Sequence, residues 1–189
     1  IIARGRCNRD VLLGTSHLFT RDVFCFWEDR GEVRMQLKPH APGIRKFSEQ
    51  ALTAKARTII KSMRASKDSG KAVMFYSCII GSIPGQTATA IKVADTFVRS
   101  LRERLDQVFI INPAEYFEPG MDGDDLMFMW EQVQRSGLIN IWRFQSMEDI
   151  EASFGLMGLK VPPVWSGKDA TFSTGCTKEM RIALDMQRS

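Results

Sequence analysis

From Lys71 to Ile80 the chain reads Lys-Ala-Val-Met-Phe-Tyr-Ser-Cys-Ile-Ile, a nearly continuous apolar run of strand length that stops at Gly81. Such a run predicts a strand buried on both faces, as in a parallel sheet covered by helices. Beyond the break Gly81-Ser82-Ile83-Pro84-Gly85, the residues Ile91, Ala94, Val98, Leu101 and Leu105 recur at spacings of three and four. That period predicts an amphipathic helix, with Thr87 as its cap. Val108-Phe109-Ile110-Ile111 then predicts a second strand, ended by Asn112-Pro113. A helix between two strands is a crossover, so the strands should be parallel.

The flanking sequence extends this layer pattern. Val11-Leu12-Leu13 and Val23-Phe24-Cys25-Phe26-Trp27 read as short strands or buried segments, and Asp29-Arg30-Gly31 as a turn. Glu32 to Lys38 alternates polar with apolar residues, predicting a half-exposed strand in a hairpin with the segment before it. Pro39, Pro42 and Gly43 precede a helix from about Lys46 to Ala65, with Leu52, Ala56, Ile59, Ile60 and Met63 on its apolar face. After the turn-rich stretch from Glu118 to Gly123, Asp124 or Asp125 can cap a helix whose Leu126-Met127-Phe128-Met129-Trp130 is greasy nearly all round. One face of it can pack on the protein; the other needs a partner. Leu138 to Phe144 is a third candidate parallel strand, and Ser146-x-x-Asp149 resembles a capping box opening a helix through Phe154. Val161 to Gly167, with two prolines, predicts an extended segment, and Thr177 a cap for a last helix carrying Met180, Ala183 and Leu184. The whole reads as one α/β layer domain with a mostly parallel sheet. Residues 1–30 stand as an amino-terminal extension or part of that domain, and 31–189 as the domain itself.

Composition narrows the function. A 189-residue chain with 44% hydrophobic residues supports a real core, and its net charge of +4 comes from mixed signs without a basic run. Nucleic acid is therefore not an expected partner, and aromatic residues do not interleave with basic ones as a stacking platform requires. Cys7, Cys25, Cys78 and Cys176 are widely separated with no Cys-x-x-Cys pair, which points to free thiols in a reducing, cytoplasmic setting. No signal peptide or membrane span is read, and the opening Ile1-Ile2 reads as a fragment or processed start.

Motifs for chemistry fail one by one. Gly81 to Thr87 sits where α/β folds hold phosphates, but no Lys precedes Thr87 and no Gly-x-Gly-x-x-Gly exists. Ser77-Cys78 with Gly81 faintly resembles a thiolate phosphatase loop, yet Pro84 stands where an Arg is wanted. Asp122, Asp124 and Asp125 lack the closing Glu of a calcium loop, Val133 occupying its place. His17 and His40 have no ligand-spaced companion. No cofactor and no metal is expected.

One pattern spans about half the chain. Gly81 after an apolar strand, Glu103-Arg104-Leu105 at a helix end, Ile110-Ile111-Asn112 in the next strand with Phe117 beyond, and Val161-Pro162 through Gly167 fall in one order. This resembles the CRAL-TRIO lipid-binding domain. The resemblance implies a non-enzymatic protein that binds, and possibly transfers, a lipid or other small hydrophobic molecule in an internal pocket beneath a gate helix. It places the gate at Leu126, Met129 and Trp130, and it favours Val73, Phe75, Ser77 and Ile79 with Val108 and Ile110 for the floor. Strand parity alone equally allows Met74, Tyr76 and Cys78 to face inward. An acyl chain burying a dozen methylenes would gain on the order of 10 kcal/mol before entropy costs. An open gate would touch a membrane surface transiently, which implies a cytoplasmic protein peripheral on membranes. In phosphoinositide-binding members an acidic corner residue, matched by Glu103, and a later Lys handle the headgroup. Asn140 stands where that Lys would be, which leaves other lipids or small hydrophobic molecules open. A scaffold for a protein partner is the main alternative, and an α/β enzyme acting on a phosphorylated small molecule is the third.

Overall fold

In a computed structural model that describes residues 2–16, 19, 22–39 and 47–188, the elements separate into two units, Ile1–Ser48 and Glu49–Ser189. The first holds β1 (Ile2–Arg4), α1 (Arg6–Gly14), β2 (Val23–Asp29) and β3 (Glu32–Lys38). Its sheet runs β1-β2-β3, with β1 parallel and β3 antiparallel to β2. The β2–β3 hairpin turns on Arg30 and Gly31, both at positive φ (52° and 82°), the primed turn geometry that matches strand twist. The hairpin joins the residues on either side of 30 and 31 within this unit. Val11-Leu12-Leu13 belongs to α1 rather than to a strand. The parallel β1–β2 pair requires a crossover, and a helix supplies it. Leu12 and Leu13 pack on Ala3, Val23 and Cys25. The expected half-exposed strand β3 is exposed on both faces over most of its length, with Val33 78% and Met35 60% accessible. His17 and His40 lie outside the described residues.

The second unit holds α2 (Glu49–Asp68), β4 (Ala72–Ser77), α3 (Thr87–Arg104), β5 (Val108–Ile111), α4 (Gly123–Gln134), β6 (Ile141–Phe144), α5 (Met147–Leu156) and α6 (Thr174–Arg188). Its sheet is all parallel in the order β5-β4-β6, so the long apolar run supplies the central strand. α3 packs with α5, and α4 packs with α2 and α6. The protein is thus mixed α/β, with helices on both faces of the parallel sheet. The pleat divides β4 between them: Met74 and Tyr76 join α3 residues Ala94, Phe97, Val98 and Leu101 in one cluster, while the Phe75 ring meets Trp130 of α4 at 5.5 Å.

Some ends differ from expectation. Thr87 is the first residue of α3, behind an N-cap Gln86 that makes no side-chain capping bond. α4 is capped by Asp122, because its extended backbone aims the carboxylate at the Asp125 N–H. The box at Ser146 and Asp149 forms as the spacing predicts. Within Val161 to Gly167 a short 3-10 turn forms at Pro163–Trp165, since proline is tolerated in a first turn. α6 begins at Thr174, ahead of Thr177. Among the described residues no helix is long and apolar enough to cross a membrane.

Candidate functional site

At the carboxyl ends of β4 and β5 the connections diverge and leave a cavity of about 480 Å³. Such a crevice is inherent in an open parallel sheet, where successive crossovers leave on opposite faces. One wall is the exit from β4, Cys78 and Ile80 to Ser82, and another is Pro113 and Phe117 after β5. The first turns of α4 and α6 supply the rest, through Leu126, Met127 and Trp130 and through Thr174, Gly175, Cys176 and Glu179.

Local chemistry sets each wall. Asp122 Oδ1 accepts from Asp125 N at 2.8 Å and Asp122 N donates to Asp125 Oδ2 at 3.4 Å, which fixes the start of α4. Leu126, Met127 and Trp130 then border the cavity while Met129 and Val133 are fully buried. The helix that looked greasy all round has protein on one side and the cavity on the other. At α6, Ser173 Oγ accepts from Cys176 N at 3.4 Å and from Ser82 Oγ at 2.9 Å, tying the loop after β4 to the helix.

Among the charged residues bordering the cavity, Glu179 is the buried one, 6% exposed. Ser77 Oγ donates to its Oε2 at 2.5 Å and Gln134 Nε2 donates to its Oε1 at 2.9 Å. Both partners are neutral. Burial pushes the carboxyl up to about 7, against the lowering effect of these two bonds. Burial likewise pushes the Cys176 thiol up to about 12 and the Cys78 thiol well above its usual value. Neither is a thiolate nucleophile. The indole N–H of Trp130 and Gln134 Oε1 are buried and have no hydrogen-bond partner among the described residues.

Of the expected site residues, Phe117, Leu126 and Trp130 line the cavity. The others do not. Met129 is core, and Val73 and Phe75 are buried in the sheet face turned to α4, where Phe75 also meets Trp142 at 5.4 Å. Ser77 reaches the site only through Glu179. Ile79 belongs to a cluster with Ile83, Ala90, Val93, Ile150, Phe154 and Trp165. Val108 and Ile110 pack on the α3 face, because the register pairs Ala72 with Val108 and Met74 with Ile110. The favoured floor is therefore split between two faces of the sheet. Cys78 and Ile80, from the other parity, are the residues of the β4 run that border the cavity. Glu103 is exposed at the end of α3, away from the cavity.

Two residues in the resembling motifs have structural work. Asn140 pairs with Val73 both ways, its N donating to Val73 O at 2.9 Å and its Oδ1 accepting from Val73 N at 3.0 Å, so it leads β6 into register. Arg102 holds Glu115 at 2.5 and 3.0 Å and Ile110 O at 2.8 Å, bracing the helix end against β5. Glu179, Cys176 and Lys178 escaped sequence reasoning. A signal existed in Glu179 itself, an acid on the stripe with Cys176, Ile182 and Ala183 that α6 buries. Among the described residues no group of three His, Cys, Asp or Glu side chains is placed to hold a metal. Compared with known proteins, the chain matches no family model, no curated protein and no solved structure.

Proposed function

We propose that this chain binds a lipid or another small hydrophobic molecule, without covalent chemistry, in the cavity beside α4. In this reading the second unit is a CRAL-TRIO-like domain, α4 is its gate, and contact with a membrane surface is transient. The observation that carries it is the cavity of about 480 Å³, bordered by Ile80, Phe117, Met121, Leu126, Met127 and Trp130. That volume lies in the range of about 300–1,000 Å³ found for small-molecule sites, and a mostly apolar wall with a few polar groups is their usual character. Leu126 and Met127 are half-buried on the first turns of α4, so outward movement of that helix end would open the cavity. Such a gate would expose apolar side chains only while open.

Native mass spectrometry of the purified chain, with extraction on denaturation, tests the reading. An apolar molecule should leave the wild type and be missing from a folded Met127→Trp variant, whose indole fills the space. An empty wild type that also takes up no fluorescent fatty acid defeats it. The uncapped first turn of α3, which begins at the cavity wall with Thr87, favours a second reading. There the Gly81 to Thr87 loop would bind a phosphorylated small molecule for an enzymatic reaction. Hydrolysis of p-nitrophenyl phosphate, abolished by Gly85→Val at a φ of +69°, would support it.

A further inference from the structure

We propose that the ligand of this cavity is a neutral amphipathic molecule with a hydroxyl at its buried end, the oxygen accepting from Trp130 Nε1 and the O–H donating to Glu179. This rests on the hydrophobic-ligand reading and specifies its chemistry. Trp130 is 2% exposed, borders the cavity, and carries a buried N–H with no partner. A buried donor left unpaired costs free energy comparable to a lost hydrogen bond, and the Trp130 side chain borders the cavity. An acceptor on the ligand would satisfy it.

Glu179 is the neighbour that makes the acceptor a hydroxyl. Gln134 follows Trp130 by one helical turn, on the same face of α4, and its Nε2 is bonded to Glu179 Oε1 at 2.9 Å. Trp130 and Glu179 both border the cavity, and Gln134 ties the carboxyl to the turn of α4 that follows the indole. Glu179 has partners only in Ser77 and Gln134, so each oxygen keeps capacity to accept. The groups facing it are neutral or held neutral: Ser77 from β4, Gln134 from α4, the raised thiols of Cys78 and Cys176. Fixed charges, Asp122, Asp124 and Lys178, belong to residues at the first turns of α4 and α6. A ligand carboxylate would bring a like charge to Glu179. A ligand ammonium would leave the indole N–H without an acceptor. A hydroxyl satisfies both groups with no net charge buried.

The ionisation of Glu179 supplies a signature. A ligand without a hydroxyl strips water from the carboxylate and offers nothing in return, so it binds more weakly as pH rises through about 7. A ligand with a hydroxyl replaces that water. The preference for hydroxyl over hydrocarbon should therefore grow with pH.

Calorimetry of the full chain with four ligands of one apolar body tests this: 4-phenyl-1-butanol, n-butylbenzene, 4-phenylbutanoate and 4-phenylbutylamine, at pH 6 and pH 8. The alcohol should bind tightest, by about tenfold over the hydrocarbon at pH 8, as two net hydrogen bonds imply. Trp130→Phe removes the N–H and should erase most of that preference, read as the ratio of alcohol to hydrocarbon affinity within the variant itself. Glu179→Gln should remove its pH dependence. The proposal is overturned, with the cavity reading intact, if the hydrocarbon equals the alcohol, if either charged ligand binds tightest, or if neither variant alters the preference. If none of the four binds, both fall.

Discussion

Two carboxyls buried on opposite faces of β4 differ in what surrounds them. On the α3 and α5 face, Tyr76 Oη donates to Asp149 Oδ2 at 3.3 Å and Arg143 Nη2 donates to Asp149 Oδ1 at 2.5 Å. Asp149 also closes the capping box of α5 with Ser146. One residue along the strand, on the other face, Ser77 donates to Glu179, whose second donor is the amide of Gln134. Asp149 has a counter-ion and braces helix to sheet. Among the described residues Glu179 has none, and it borders the cavity. A buried charge that is paired is architecture; one that is unpaired beside a cavity is costly at rest and available to a ligand.

The largest effect expected from breaking this contrast is on the braced side. Asp149→Ala leaves Arg143 without its carboxylate, Tyr76 Oη without its acceptor and α5 without half its capping box. Arg143 is 40% exposed, which moderates the loss. The variant should lose about 3 kcal/mol in denaturant titration. A loss under about 1 kcal/mol would mean the brace is ornamental.

The second test exploits pH. Glu179 is raised from the ordinary 4.5 to about 7, so between those values the folded protein keeps a proton that the unfolded chain has released. Stability from this group is therefore present below about pH 4.5 and declines as pH rises to about 7, by up to about 3 kcal/mol, with no further change above. Glu179→Gln should flatten that decline and make the protein more stable than the wild type at pH 8. Thermal unfolding across pH 4.5–8 reads both. A wild type whose stability is flat over that range sinks the assignment.

What the sequence disclosed follows from the range of the interactions. The run through Ala72–Ser77, the stripe of α3 and the box at Ser146 are local, and each appears where its period or spacing predicts. Which parity of the run through β4 reaches the cavity beyond the strand end was not legible. Period two states that Val73, Phe75 and Ser77 share a side, not which helices will cover it, and the pairing of Met74 with Ile110 sends Val108 and Ile110 to the opposite side. Glu179 lies 102 residues from Ser77, so their bond exists only once α6 has folded back against the sheet. The apolar helix carrying Leu126 and Trp130 was legible because apolar bulk after a turn-rich loop is a local signal, whereas Phe117, ahead of that loop, was reached through the resemblance. The hairpin through Arg30 and Gly31 was legible as well, since a turn between an apolar run and an alternating one is a local signal.

The smallest effect expected is also the sharpest. Gln134→Leu removes one of the two bonds that favour the Glu179 carboxylate, and with it the amide oxygen that has no partner. Those losses offset one another, so stability at pH 5, where the carboxyl is protonated, should change by no more than about 1 kcal/mol. The Glu179 titration itself should move upward, because burial now acts against one bond instead of two. Ser77→Ala removes the other bond and should shift it the same way. Tyr76→Phe, the matching change on the opposite face, takes a donor from Asp149 but leaves Arg143 in place, so it should leave the Glu179 titration unmoved. Carbon-13 chemical shifts of the Glu179 carboxyl follow all three variants directly. Equal shifts in Tyr76→Phe and Gln134→Leu would show that the environment of Glu179 is set as much by the opposite face of the strand as by its own partners.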